Sequence, residues 1–207
     1  HRFDYDTPIE ETVARTQALH VIVKAIYVRN IGMSPCWPYQ YHAINQHITP
    51  FVSVQNHYSS LYRDEEREMF PTLKHFDADS IPWSPLGRGL LARHIDGKTL
   101  RPKTDGAKLV YAGLFPFYDI SILPTLLSRV EELAEKGVSM AQISTAWIMN
   151  KPGITAPIIG TTSPRNLADI LGALDVQLTK DGMKHLEDPY QSLKVLGHAR
   201  CFDVIPP

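Results

Sequence analysis

The sequence predicts an α/β protein built from parallel strand–helix units, and three observations carry that expectation. Helical and strand-like segments alternate from residue 8 to residue 187, the order expected when helices return the chain to the same end of a parallel sheet. Two short apolar runs, around Val54 and around Ile81, stop abruptly in Gln55-Asn56-His57-Tyr58 and in Trp83-Ser84-Pro85-Leu86-Gly87-Arg88-Gly89. In parallel α/β proteins the residues just past the strands are the ones that face a ligand. Finally, several helices open on local capping signals.

The first helix is expected over 8–24, with Thr7 as N-cap, Pro8 in the first turn and Glu10 closing a capping box. A strand over 27–32 follows, then a loop over 33–38 that contains two prolines and a short helix over 39–46. The second strand spans 51–55. Asp64-Glu65-Glu66 open a helix over 64–75 with negative charge where the helix dipole favours it. The third strand spans 80–83. A long aperiodic excursion or lid, rich in Gly, Pro, Lys and Arg, occupies about 87–118. Helices resume over 120–136, stopped by Gly137, and over 140–150 behind the capping box Ser139-Met140-Ala141-Gln142. The fourth strand is 154–159, the turn after it 160–163, and Pro164 begins a helix that runs to 174. Thr179 caps a last helix to 187, and the tail after about 190 has no period. No linker divides the series, so one domain over 1–207 is expected.

Composition narrows the function. Of 207 residues 43% are hydrophobic and 21% charged, and 21 basic against 22 acidic side chains leave a formal charge of −1. That balance gives a polyanion no purchase, and no basic run is interleaved with aromatics, so nucleic-acid binding is not expected. The two cysteines, Cys36 and Cys201, stand too far apart for a CxxC site, and the histidines show no metal-ligand spacing. No metal is expected. The longest apolar runs fall short of a membrane span and no leader peptide is visible, so the expected compartment is the cytoplasm. The chain opens on His1-Arg2-Phe3-Asp4 without Met, and is expected to be a fragment or to lack its beginning.

His1-Arg2-Phe3-Asp4 with Thr7-Pro8-Ile9-Glu10, Gln55-Asn56-His57-Tyr58, Tyr62-Arg63-Asp64-Glu65-Glu66-Arg67, Ile81-Pro82-Trp83-Ser84-Pro85-Leu86 and Pro157-Ile158-Ile159-Gly160 occur in one order and spacing. With these motifs the chain resembles the aldo-keto reductases, in particular the fungal aryl-alcohol dehydrogenase and norsolorinic acid reductase-like branch, from its first residue to about Tyr190. The resemblance implies the C-terminal half of a (β/α)8 TIM barrel, truncated at the N-terminus, with strands five to eight present. It implies an oxidoreductase that uses NADP(H) to reduce an aldehyde or ketone, aromatic or polyketide-derived. The competing reading is an inactive relic or a cofactor-binding half-barrel. A small-molecule carbonyl or alcohol is the expected partner. The open edges of a half-barrel predict a homo-oligomer or aggregation.

Residue by residue, the resemblance assigns His1 to the histidine that hydrogen-bonds the substrate carbonyl, a role an imidazole N–H can fill as charge develops on oxygen. The family's Asp, Tyr and Lys lie upstream of it, and Tyr58 or Lys74 cannot replace them without the right reach and a tuned pKa. Trp83 matches the aromatic that stacks on nicotinamide, or else is a core tryptophan. Gln55 and Ser34 match the groups that bind the carboxamide, although Pro35 stands where a polar residue is usual. Ser84, Leu86 and Gly87 match the pyrophosphate loop, and Arg88 either pairs with a phosphate there or is a solvated side chain. Gly160, Thr162, Ser163, Arg165, Asn166 and Asp169 match the turn and helix that hold the 2′-phosphate and adenine. For Ser163, helix capping alone is a sufficient reading. His57 reads as a loop feature of this branch, and Cys36 as an inert thiol.

Overall fold

A computed structural model describes residues 3–45, 49–93, 122–134 and 137–190. Three parallel strands form the sheet in chain order: β1 (Gly32–Met33), β2 (Ser53–Val54) and β3 (Asp79–Ser80). Gly32 lies opposite Ser53, which lies opposite Asp79. Ladder bonds continue past these short strands: the Gln55 amide donates to Met33 at 2.8 Å, Ile81 to Val54 at 2.8 Å and Trp83 to Asn56 at 2.9 Å.

A fourth parallel segment reaches the far side of β3 through the bridges Ser80–Ile154 and Trp83–Ile158. Between them the chain advances three residues on one side and four on the other. Prolines account for the slip. In regular register residue 157 would donate to the Pro82 carbonyl, but it is Pro157 and has no N–H, so the Ile158 amide donates instead, at 2.8 Å. Pro82, also without an N–H, can return no bond to this segment. The expected strand over 154–159 is therefore two bridges around a bulge.

Around the sheet lie α1 (Ile9–Lys24), α2 (Pro38–Asn45), α3 (Met69–His75), α4 (Leu123–Ala134), α5 (Met140–Met149), α6 (Pro164–Leu171) and α7 (Lys180–Glu187). On α4, Leu123, Leu126, Leu127 and Val130 are buried, the i, i+3, i+4, i+7 stripe of a helix facing a core. Residues 140–141 and 143–148 of α5 are all buried, which makes it the central helix. Trp147 and Leu126 belong to one hydrophobic cluster, and Tyr41, Phe51 and Val54 to a second beneath α2 and α3.

Several expected boundaries shift for physical reasons. Thr7 does not cap α1: its hydroxyl donates to the Asp4 carboxylate at 2.7 Å, and the N-cap is Pro8 with no side-chain bond. The strand over 27–32 shrinks to Gly32–Met33, because α1 ends with Ile26 in the left-handed region at φ 62° and Tyr27 is left exposed. The helix over 64–75 breaks into a 3₁₀ turn, Asp64–Glu66, and α3; Pro71 has no N–H for the Arg67 carbonyl and would crowd it in a continuous helix. The helix from Pro164 closes at Leu171 and tightens into a 3₁₀ turn over Gly172–Asp175. The capping box at Ser139 and Gln142 forms as expected, and Thr179 caps α7 through the Gly182 amide. His1, the lid beyond residue 93, the helix end at 135–136 and the tail after 190 lie outside the described residues. Among the described residues no helix is long and apolar enough to cross a membrane.

Candidate functional site

Because the strands are parallel, their C-terminal ends open on one side of the sheet. Ser34 follows β1 directly and Gln55 follows β2. Trp83 lies beyond β3, bridged to His57 on one side and Ile158 on the other. The register thus brings Ser34, Gln55 and Trp83 to neighbouring strand ends. Gln55 is exposed, while Ser34 and Trp83 are half-buried. Below them Asn56 fixes the ends of two strands: its amide donates to Glu65 at 3.0 Å, and its oxygen accepts from the Ser80 hydroxyl.

Trp83 does not stand alone. Its ring stacks on His57 with centroids 4.4 Å apart and planes 22° from parallel. His57 in turn stacks on Tyr62 at 4.7 Å and 27°. The imidazole is buried, and that burial, followed by the charge of Arg88, pushes its pKa down to about 3. His57 is thus a neutral ring inside an aromatic stack. The sequence reading missed this; the signal was its place two residues after Gln55, which puts both side chains on the same face of the strand.

The turn after Trp83 is unusual in its backbone. Ser84, Gly87, Arg88 and Gly89 have φ of 57°, 54°, 58° and 94°, a region that residues with a Cβ enter at a cost. Two bonds hold the bend, Gly87 amide to Ser84 carbonyl at 2.9 Å and Gly89 amide to Leu86 carbonyl at 2.8 Å. At Gly89 the φ of 94° calls for glycine, whereas the Arg93 guanidinium nitrogen that a Cβ would meet at 2.4 Å is the movable end of a side chain. Backbone held this way collects at ligand clamps. Leu86 and Arg88 are half-buried in the turn.

The last sheet segment ends at Gly160, and Ser163 caps α6 by accepting from the Asn166 amide at 3.4 Å. Thr162, Arg165 and Asn166 are exposed around this N-terminus, where amide N–H groups and the helix dipole favour an anion. Asp169 is engaged elsewhere: its carboxylate accepts from the Ser139 hydroxyl at 2.8 Å, and its carbonyl from the Gln142 amide at 2.7 Å. It ties α6 to the start of α5.

Tyr58 is buried, and its hydroxyl donates to Glu66. Burial, reinforced by the Glu66 charge, drives its pKa far above that of an ordinary phenol, so it is a poor proton donor to any ligand. Lys74 is exposed on α3. The Cys36 thiol is buried and pushed up to about 12, first by that burial and then by Glu65, which makes it unreactive.

A sequence model of the family described as the aldo/keto reductase family matches residues 1–190. Over 205 residues the chain is 38% identical to a Schizosaccharomyces pombe protein provisionally named an aryl-alcohol dehydrogenase, covering 95% of this chain and 55% of that one. An aldo-keto reductase of Alternaria alternata is 35% identical, with 96% of this chain and 53% of its own covered. The versiconal hemiacetal acetate reductase of Aspergillus parasiticus is 36% identical, with 92% and 55% covered. The chain spans about half the length of these curated relatives.

Proposed function

The chain belongs to the aldo/keto reductase family, a (β/α)8 barrel family of which it holds about half, and from that premise we propose that it supplies the cofactor-binding wall of an NADP(H)-dependent oxidoreductase that reduces an aldehyde or ketone to an alcohol. The observation that carries this reading is the meeting of Ser34, Gln55 and Trp83 at adjacent strand ends. An exposed amide beside a half-buried flat ring fits a nicotinamide carboxamide and its ring, and the turn over 84–89 and the start of α6 fit phosphates.

When bound, NADPH supplies the hydride. The side chains of this chain would do the rest as follows. Gln55 and Ser34 would hydrogen-bond the carboxamide, and the Trp83 face would fix which side of the ring is presented. Ser84, Leu86, Gly87 and Arg88 would enclose the pyrophosphate. Gly160, Thr162, Ser163, Arg165 and Asn166 would hold the 2′-phosphate, which distinguishes NADP from NAD, while Asp169, bonded to Ser139, would steady α6 beneath them. His1 would donate to the substrate carbonyl oxygen. The aryl-alcohol dehydrogenase name carried by the Schizosaccharomyces pombe relative supports an aromatic carbonyl as substrate, a polyketide-derived one is the alternative, and the cytoplasm is the proposed compartment.

Binding without turnover is the second reading, and Tyr58 favours it: buried and bonded to Glu66, it cannot protonate a product at the strand ends. Titrating the chain with NADPH while following tryptophan fluorescence, then adding an aromatic aldehyde, separates the two. Quenching that Gln55→Ala and Trp83→Leu both weaken supports the cofactor wall, and consumption of NADPH with aldehyde adds catalysis. Arg165→Ala should weaken NADPH more than NADH. No binding of NADPH at millimolar concentration would overturn the reading.

A further inference from the structure

We propose that His57 is a positioning residue for the Trp83 indole, holding the ring flat so that the face turned away from His57 forms the platform for a nicotinamide ring. This rests on the NADP(H) reading above. His57 and Trp83 are direct partners in the parallel bridge that joins the two strand ends, so their side chains leave neighbouring strands on the same face. Their rings lie 4.4 Å apart and 22° from parallel, and Tyr62 backs His57 at 4.7 Å.

The stack is anchored at its inner end. Tyr62 is fully buried and His57 nearly so, while Trp83 is half-buried. Ser59 and Tyr62 close the loop between them with two backbone bonds, each 3.0 Å, which fixes the ring at the back. One face of the indole is covered by His57, so a planar ligand has only the other face to stack against.

Trp83 needs such a clamp. The residue after it, Ser84, turns left-handed at φ 57°, so strand continuity on that side cannot hold the indole in place. A flat, neutral ring can hold it by stacking, and an aliphatic side chain of similar volume cannot fix its tilt in the same way.

The test uses the full chain with three variants, His57→Ala, His57→Leu and His57→Phe, titrated calorimetrically with NADP and with 2′-phospho-ADP-ribose, which lacks the nicotinamide. With stacking as the device, Ala and Leu should each weaken NADP by about tenfold, and Phe should restore binding to within about threefold of the unchanged chain. Affinity for 2′-phospho-ADP-ribose should hold throughout. Leu fills the volume, so it keeps the test available if Ala fails to fold. Equal losses for both ligands, or unchanged NADP binding by the Leu variant, would overturn the proposal while leaving the cofactor reading intact. An unchanged chain that binds neither ligand overturns both.

Discussion

The Lys151 ammonium lies 2.9 Å from Glu187 Oε1 and 3.0 Å from Glu66 Oε1, joining α7 to the end of α5 and to the turn before α3. Arg63 grips Glu66 from the other side through two nitrogens, at 3.0 and 2.8 Å. The Trp147 indole donates to Glu187 at 3.1 Å, and both cations lie over its ring. Replacing Lys151 by Met should therefore leave two carboxylates short of a partner. Partial exposure of the group tempers the full penalty of a broken buried pair, so a loss of about 1–3 kcal/mol is expected in urea unfolding.

The same network sets an acid limit. Burial alone would raise the Glu66 pKa, but hydrogen bonds from Arg63 and Tyr58, with the charges of Arg63 and Lys151, outweigh it and hold the carboxyl below its usual range. A depressed carboxylate contributes stability that is present above its unfolded pKa, near 4.3, and is lost as pH falls through the folded value. Denaturation midpoints measured between pH 6 and pH 3 should fall, and Glu66→Gln should flatten that decline at the cost of lower stability at neutral pH.

His57 adds a second, earlier slope. Its folded pKa of about 3 lies below the unfolded imidazole's, near 6.5, so the unfolded chain takes up a proton that the folded chain refuses. Stability should then drop as pH falls from about 6.5, by up to about 1.4 kcal/mol per pH unit. His57→Phe should remove that slope between pH 6.5 and pH 5. An unchanged slope in the variant would mean the imidazole titrates normally in the fold.

Ile26 is held at φ 62° and is 84% exposed, in the position after α1 where the Tyr27 amide bonds Ile22 and its own amide bonds Val23. That pair of bonds is the helix-ending arrangement in which glycine is usual. Ile26→Gly loses almost no packing and relieves the left-handed strain, so a gain of about 1 kcal/mol is expected. A shifted urea midpoint with an unchanged slope would show it.

Association is the fifth expectation. Leu167, Leu171 and Leu174 form an exposed apolar stripe along α6 and the turn after it, beside a sheet segment whose outer edge has no strand partner among the described residues. Exposed edges and apolar faces of this kind recruit other chains. Light scattering should report oligomers that Leu167→Lys with Leu171→Glu reduces; a monodisperse monomer would contradict this.

Local signals were legible in the sequence and tertiary ones were not. Ser139 with Gln142, and Thr179, cap their helices as their spacing predicts, because a cap needs only three or four residues. Thr7 had the same signature, yet Asp4 captured its hydroxyl, a competition that helix-start rules do not weigh. Pro71 carried the warning that the helix over 64–75 would break. The strand ends at Gln55 and Trp83 were readable from where the apolar runs stop; the spacing of His57 from Gln55 marked its face of the strand, but its ring partners depend on a bridge between two strands. The engagement of Asp169 by Ser139 joins elements 30 residues apart and left no mark in either segment.

The slip at Pro157 acts as a spacer. Relative to an unbroken ladder, one extra residue lies between the Ser80 and Trp83 levels, and a strand residue rises about 3.3 Å. The bulge takes up that length before the Trp83 level is reached. Deleting Pro157 would restore the regular ladder and leave Ile158 opposite Trp83, so the sheet can be regularised at this one position without moving the turn that follows.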